Sequence, residues 1–158
     1  LHGYRKPFKK PIGTTGGGKN GSGADNEIWS FGTDVYDICK YYISLRESMK
    51  VYTAKIMHEA HETGTPVMRP LFYEFPSDLK CWDIKYSYMY GSDILVAPIT
   101  EEKVRATKVY LPEGEEWIDF WSGEQICGGQ VVNVEAPLEI IPLFIRASSK
   151  TLFQELKQ

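Results

Sequence analysis

The sequence predicts an α/β segment followed by an all-β one: a helix-and-strand unit that leads into an antiparallel β-sandwich. Three observations carry this reading. Apolar residues between positions 33 and 63 recur at steps of three and four, the period of one helix face. This helix pattern opens after a loop, closes on Gly64 and feeds directly into the apolar run Thr65–Phe75, which is half of a βα repeat. Beyond residue 91 the chain becomes a series of short segments rich in Val, Ile, Tyr, Phe and Trp, separated by turn signals.

At the N-terminal end, His2-Gly3-Tyr4-Arg5-Lys6-Pro7-Phe8 leads through Pro11 into a tract from Gly13 to Gly23. Its glycines are costly to order and bring no side chains to bury, so the tract reads as neither strand nor helix. A linker, an engineered join and a loop rimming an active site all fit it. A phosphate cradle fits poorly, because Gly16-Gly17-Gly18-Lys19 lacks the spacing that places a lysine and backbone amides around a phosphate.

The helix stripe consists of Val35, Ile38, Tyr42, Leu45, Met49, Tyr52, Ile56 and Ala60, with Thr33 or Asp34 as N-cap and Gly64 as the C-terminal stop. Such a stripe packs on a sheet. The run Thr65–Phe75 is apolar on both faces, which predicts a strand buried on both sides, and Pro66 and Pro70 make it short or irregular. Arg69 within it requires a carboxylate partner, with Glu47 and Glu74 as candidates, because an unpaired buried guanidinium is prohibitively costly.

A brief helical piece is expected over Asp78–Tyr86, then strands at 93–99, 107–111, 115–120, 130–135 and 139–146. Turns fall at Pro112-Glu113-Gly114, Ser122-Gly123 and Gly128-Gly129, and the spacing is that of a β-sandwich. Residues 152–156 fit either a last strand or a helix. Trp82, Trp117 and Trp121 are expected to fill the sandwich core or its seam.

With 158 residues, 42% hydrophobic and 13% aromatic, the chain has ample material for one or two small cores. A net charge of −3 leaves no electrostatic footprint for nucleic acid or an anionic membrane. No run approaches the roughly 18 apolar residues of a membrane span, no segment reads as a signal peptide, and localisation stays unassigned. Cys39, Cys81 and Cys127 are odd in number and widely spaced, which predicts reduced, partly buried thiols. His58-Glu59-Ala60-His61 lacks the spacing that puts two histidines and a general base on one zinc, so no metal site and no cofactor are expected.

Four stretches carry a family likeness: Ala24–Gly32, Glu59–Pro76, Gly91–Ile99 and Val109–Trp117. Together they resemble the C-terminal part of glycoside hydrolase family 31, the retaining α-glucosidases and α-xylosidases, over Leu1 to about Arg146. The resemblance implies the last βα units of a (β/α)8 barrel in residues 1–90, with a Gly-rich βα loop at 9–32, followed by a β-sandwich domain at 91–158. It implies as partners an α-linked oligosaccharide or glycoside and the rest of the parent barrel, with a homo-oligomer left open. It also gives His2 the role of the histidine that lines the non-reducing sugar subsite, where an imidazole offers one donor and one acceptor to adjacent hydroxyls. Trp29 and Phe31 either stack on a sugar face or anchor the loop to the helix.

Retaining hydrolysis needs two carboxyl groups about 5–5.5 Å apart. In the family both are aspartates on earlier barrel strands, one within a Trp-x-Asp-Met motif that this sequence lacks. Asp25, Asp34, Asp37, Asp78, Asp83, Asp93 and Asp119 are expected in caps, turns or sheet edges, so none is assigned as catalytic. The chain, which begins with Leu, therefore reads as a fragment truncated at its N-terminal side and inactive alone. Residues 1–90 would depend on the missing barrel. The other class of function is a non-catalytic β-sandwich that binds sugar or a partner.

Overall fold

The structure, a computed structural model, describes residues 27–157. They divide after Glu47 into two compact units. The first holds a 3-10 turn at Ile28–Phe31 and nearly all of helix α1 (Thr33–Ser48). The stripe Val35, Ile38, Tyr42 and Leu45 is half-buried along α1, and no residue of that helix is fully buried.

The second unit starts with α2 (Lys50–Thr63), which Gly64 closes in the left-handed conformation at φ 73°, its N–H donating to the Ala60 carbonyl. The long helix expected over residues 33–63 is thus two helices, separated at Met49. Then follow β1 (Met68–Pro70), the single turn α3 (Leu71–Glu74), a 3-10 turn at Leu79–Trp82, β2 (Tyr88–Tyr90), β3 (Ile94–Val96), β4 (Ala106–Leu111) and β5 (Glu116–Asp119). The chain continues through β6 (Gln125–Cys127), β7 (Gln130–Glu135), β8 (Leu143–Arg146), a 3-10 turn at Ala147–Ser149 and α4 (Lys150–Leu156).

All strand pairs are antiparallel. One sheet runs β1-β2-β3-β8-β5-β6 and the other is the β4-β7 pair. Side chains of both sheets meet in one core: Met89, Leu95, Trp117 and Phe144 from the larger, Val109 and Leu111 from the smaller, all fully buried. Strands β2 and β6 add to those read from the pattern, and residues 152–156 are helical rather than extended. Only Leu79–Trp82 of the piece expected over 78–86 is helical, as one 3-10 turn.

The expectation of a strand over Thr65–Phe75 buried on both sides of a barrel wall is overturned. Only Met68–Pro70 is extended, it pairs antiparallel at the edge of the large sheet, and Met68 is 57% exposed. Proline lacks the N–H that a central strand must donate, which leaves an edge as the place for Pro70. The apolar residues after it follow a helical period: Leu71 and Phe75, four apart, enter the core, whereas Phe72 and Tyr73 stay outside. Because β1 and β2 share a sheet with β3, a boundary at 90/91 would cut through that sheet.

Trp117 fills the core and donates its indole N–H to the Pro112 carbonyl. Trp82, expected in the core or its seam, is 57% exposed, with its ring stacked on Phe72 at 4.9 Å. Cys81 is buried, Cys39 half-buried and Cys127 exposed, and all three are free thiols. The expectation of partial burial therefore fails for Cys127, whose strand β6 lies at the sheet edge.

Candidate functional site

Of the two expected sugar contacts, His2 lies outside the described residues, as does Asp25. Trp29 sits in the Ile28–Phe31 turn, 68% exposed, with Phe31 at 56%. Gly32 leaves that turn at φ 96°, a conformation that glycine adopts without a Cβ clash, and its carbonyl accepts the Tyr36 N–H in the first turn of α1. The turn therefore holds two large aromatic faces open to solvent at the start of a helix.

Asp78, Asp93 and Asp119 of the second unit have structural partners. Asp78 caps the 3-10 turn by accepting the Lys80 N–H, and its other oxygen accepts the Tyr110 hydroxyl at 2.6 Å and the Glu113 N–H at 2.9 Å. Burial pushes its carboxyl up, but these donors outweigh burial and hold it below the usual carboxylate range. Beside it, burial and the Asp78 charge push the Cys81 thiol up to about 12. A thiol so raised is a poor nucleophile. Asp119 accepts the Trp121 and Ser122 N–H groups in the turn after β5, and Asp93 accepts the Ser92 and Ser149 hydroxyls.

Arg69 has the carboxylate partner its burial demands, and Glu74 is one of the two candidates read from the sequence. The second partner is Glu59, one turn before the end of α2. Glu74 also pairs with Arg146, which pairs with Glu115, so α2, β1, α3, β8 and the loop before β5 are tied into one ionic chain. Neither Glu59 nor Arg146 was legible as a partner, because sequence separations of 10 and 72 carry no signal of spatial approach.

Helix α2 is fixed to the β2–β3 hairpin through one side chain. The Tyr52 hydroxyl donates to the Tyr90 carbonyl at 2.9 Å and accepts the Asp93 N–H at 3.2 Å. Gly91, between those two residues, has φ 63°, and a Cβ there would overlap the Tyr52 hydroxyl. The Gly-Ser-Asp-Ile-Leu-Val stretch is thus a tight hairpin whose tip receives a helix, with buried Ile94 and Leu95 following it into the sheet.

The described residues thus form an antiparallel β-domain preceded by helices, with Asp78, Asp93 and Asp119 held in caps and turns and Glu59, Glu74 and Glu115 in ion pairs. The family model of the glycosyl hydrolase family 31 C-terminal domain matches residues 64–149. The chain belongs to glycoside hydrolase family 31, as a C-terminal portion. It is 38% identical over 132 residues to alpha-glucosidase 2 of Bacillus thermoamyloliquefaciens, covering 84% of this chain and 17% of that protein. A GH31 alpha-xylosidase from a soil metagenome, solved with xylose, superposes at a TM-score of 0.89 with 47% identity, covering 99% of this chain and 23% of that one. A Flavobacterium johnsoniae GH31 dextranase, a D412A mutant solved with isomaltotriose, gives a TM-score of 0.75 at 38% identity over 80% of this chain and 16% of that one. The chain thus spans about a fifth of the length of these relatives.

Proposed function

We propose that the chain is the C-terminal part of a retaining α-glycoside hydrolase that releases terminal, non-reducing α-linked xylose or glucose. In this reading the residues up to the end of α2 belong to the catalytic (β/α)8 barrel, residues 9–32 form a Gly-rich βα loop at its rim, and the β-sandwich follows as the C-terminal domain. The observation that carries the reading is the 47% identity over 99% of the chain to an alpha-xylosidase solved with xylose.

The chemistry sets what these residues can contribute. Two carboxyl groups do the bond-breaking, one as nucleophile and one as acid and then base. Asp78, Asp93 and Asp119 are occupied as hydrogen-bond acceptors in turns, so they do not serve as that pair. The sugar-facing contribution is assigned to His2, through hydrogen bonds to hydroxyls, and to Trp29, whose exposed ring offers a flat apolar face to the CH-rich side of a pyranose.

Assaying the 158-residue chain and the longer protein that contains it on aryl α-xyloside and α-glucoside tests this. The longer protein should hydrolyse one of them with retention, and the chain alone should show no turnover above background. In the longer protein, His2→Ala should lower kcat/KM by about 10²-fold, roughly 3 kcal/mol, at unchanged melting temperature. Turnover by the isolated chain, abolished by replacing one of its own carboxylates, would overturn the assignment.

A further inference from the structure

We infer that the groove between the segment 83–87 and strand β4 is an accessory binding site for a short, neutral oligosaccharide, a ligand class that rests on the glycosidase reading above. The groove encloses about 560 Å³, within the range of small-molecule sites. Pro98 and Ile99 give it an apolar stretch. Asp83, Lys85, Tyr86, Thr100, Glu101 and Lys108 supply its polar lining. Strand periodicity puts Lys108 and Tyr110 on one face of β4, toward the same side as the groove.

Six polar side chains of this lining are uncommitted. The side chains of those six residues make no hydrogen bond or ion pair among the described residues. Tyr110, also on the lining, is engaged: its hydroxyl donates to Asp78. Free donors and acceptors beside an apolar stretch suit a ligand that presents hydroxyls and CH faces together.

Two acids, Asp83 and Glu101, balance two bases, Lys85 and Lys108, so the lining favours a neutral ligand over an ionic one. The Tyr86 ring, 64% exposed, is placed to stack on a pyranose. The bordering loop carries a second sign of specialisation: Lys103, between lining residues Glu101 and Val104, has φ 65°, a conformation that a side chain makes costly.

Calorimetric titration of the 158-residue chain with isomaltotriose tests the inference. Binding is expected, weakened about tenfold or more by Tyr86→Ala and by Lys108→Ala, and unchanged by Val51→Ala, at an exposed position of α2 outside the groove. Both groove positions are exposed, and melting curves verify that each variant is folded. Absence of binding at millimolar sugar, or binding that both groove variants leave intact or that Val51→Ala abolishes, overturns it. The two readings fail separately. A hydrolytically active parent whose C-terminal chain binds no isomaltotriose removes the groove alone, and a chain that binds through Tyr86 in a parent without hydrolase activity removes the enzymatic reading alone.

Discussion

Arg69 shows what one residue can fix. It is 3% exposed, and its donors reach the Pro66 carbonyl at 2.8 Å and the carboxylates of Glu74 and Glu59 at 2.9 Å each. Burial alone would lower its pKa, yet the two glutamates outweigh burial and raise it, so the guanidinium stays charged. Replacing it by methionine leaves Glu59 without its counter-ion and Glu74 with Arg146 alone, and should cost about 3 kcal/mol in urea denaturation. Glu115→Gln, at a half-buried end of the same ionic chain away from Arg69, should cost under about 1 kcal/mol, and equal losses for the two variants would refute this account. Asp78 carries the pH dependence. Its carboxyl is held below its ordinary value in the folded state, so its contribution is present above the unfolded value and fades as pH falls through the folded one. Asp78→Ala should therefore lose about 1–3 kcal/mol at pH 7, and the gap to the parent chain should narrow below about pH 4. A gap that widens on acidification would contradict the sign.

Among the elements, the join between α2 and the β2–β3 hairpin depends on the absence of one side chain. Gly91→Ala combines the cost of a left-handed alanine with overlap of the Tyr52 hydroxyl and close approach to the Ile56 side chain, and should destabilise by about 3 kcal/mol. Gly114→Ala is its control. That residue also has positive φ, at 87°, but a Cβ meets nothing within 4 Å, so only the conformational term of about 1 kcal/mol should appear. Chemical denaturation of the two variants separates these terms, and indistinguishable losses would show that the helix does not press on the hairpin tip. Strand elements were legible where turn residues bracket them: Val109 and Tyr110 precede Pro112-Glu113-Gly114, and the six-residue ladder of β4 on β7 follows the expected segments closely. Strands β2 and β6 were not, because three residues are too few for alternation to be distinguished from chance.

At the scale of the whole molecule, burial is unequal. Tyr52 and Ile56 of α2 and nearly all the β-domain core are enclosed, whereas α1 buries no residue completely. In the isolated chain, amide exchange should be fast over α1 and slow around Ile56 of α2 and over strands β2, β3, β5 and β8. This revises the dependence expected for all of residues 1–90, since α2, β1 and β2 have partners within the second unit. Slow exchange throughout α1 in a demonstrated monomer would overturn it.

The local periods of the sequence determined the sandwich strands, the stop at Gly64, the need of Arg69 for a carboxylate and the family resemblance, because each depends on residues close together in the chain or on a stretch read whole. Tertiary structure decided where the run after Pro66 goes. An apolar stretch buries itself equally well as a barrel strand or as an edge strand followed by one helical turn, and only the core that receives Leu71 and Phe75 selects between them. It also decided which carboxylates meet Arg69 and Arg146, and that the polar side chains around Tyr86 are left without partners. Pairing across tens of residues, and its absence, arises from how the sheets stack, and no local pattern encodes it.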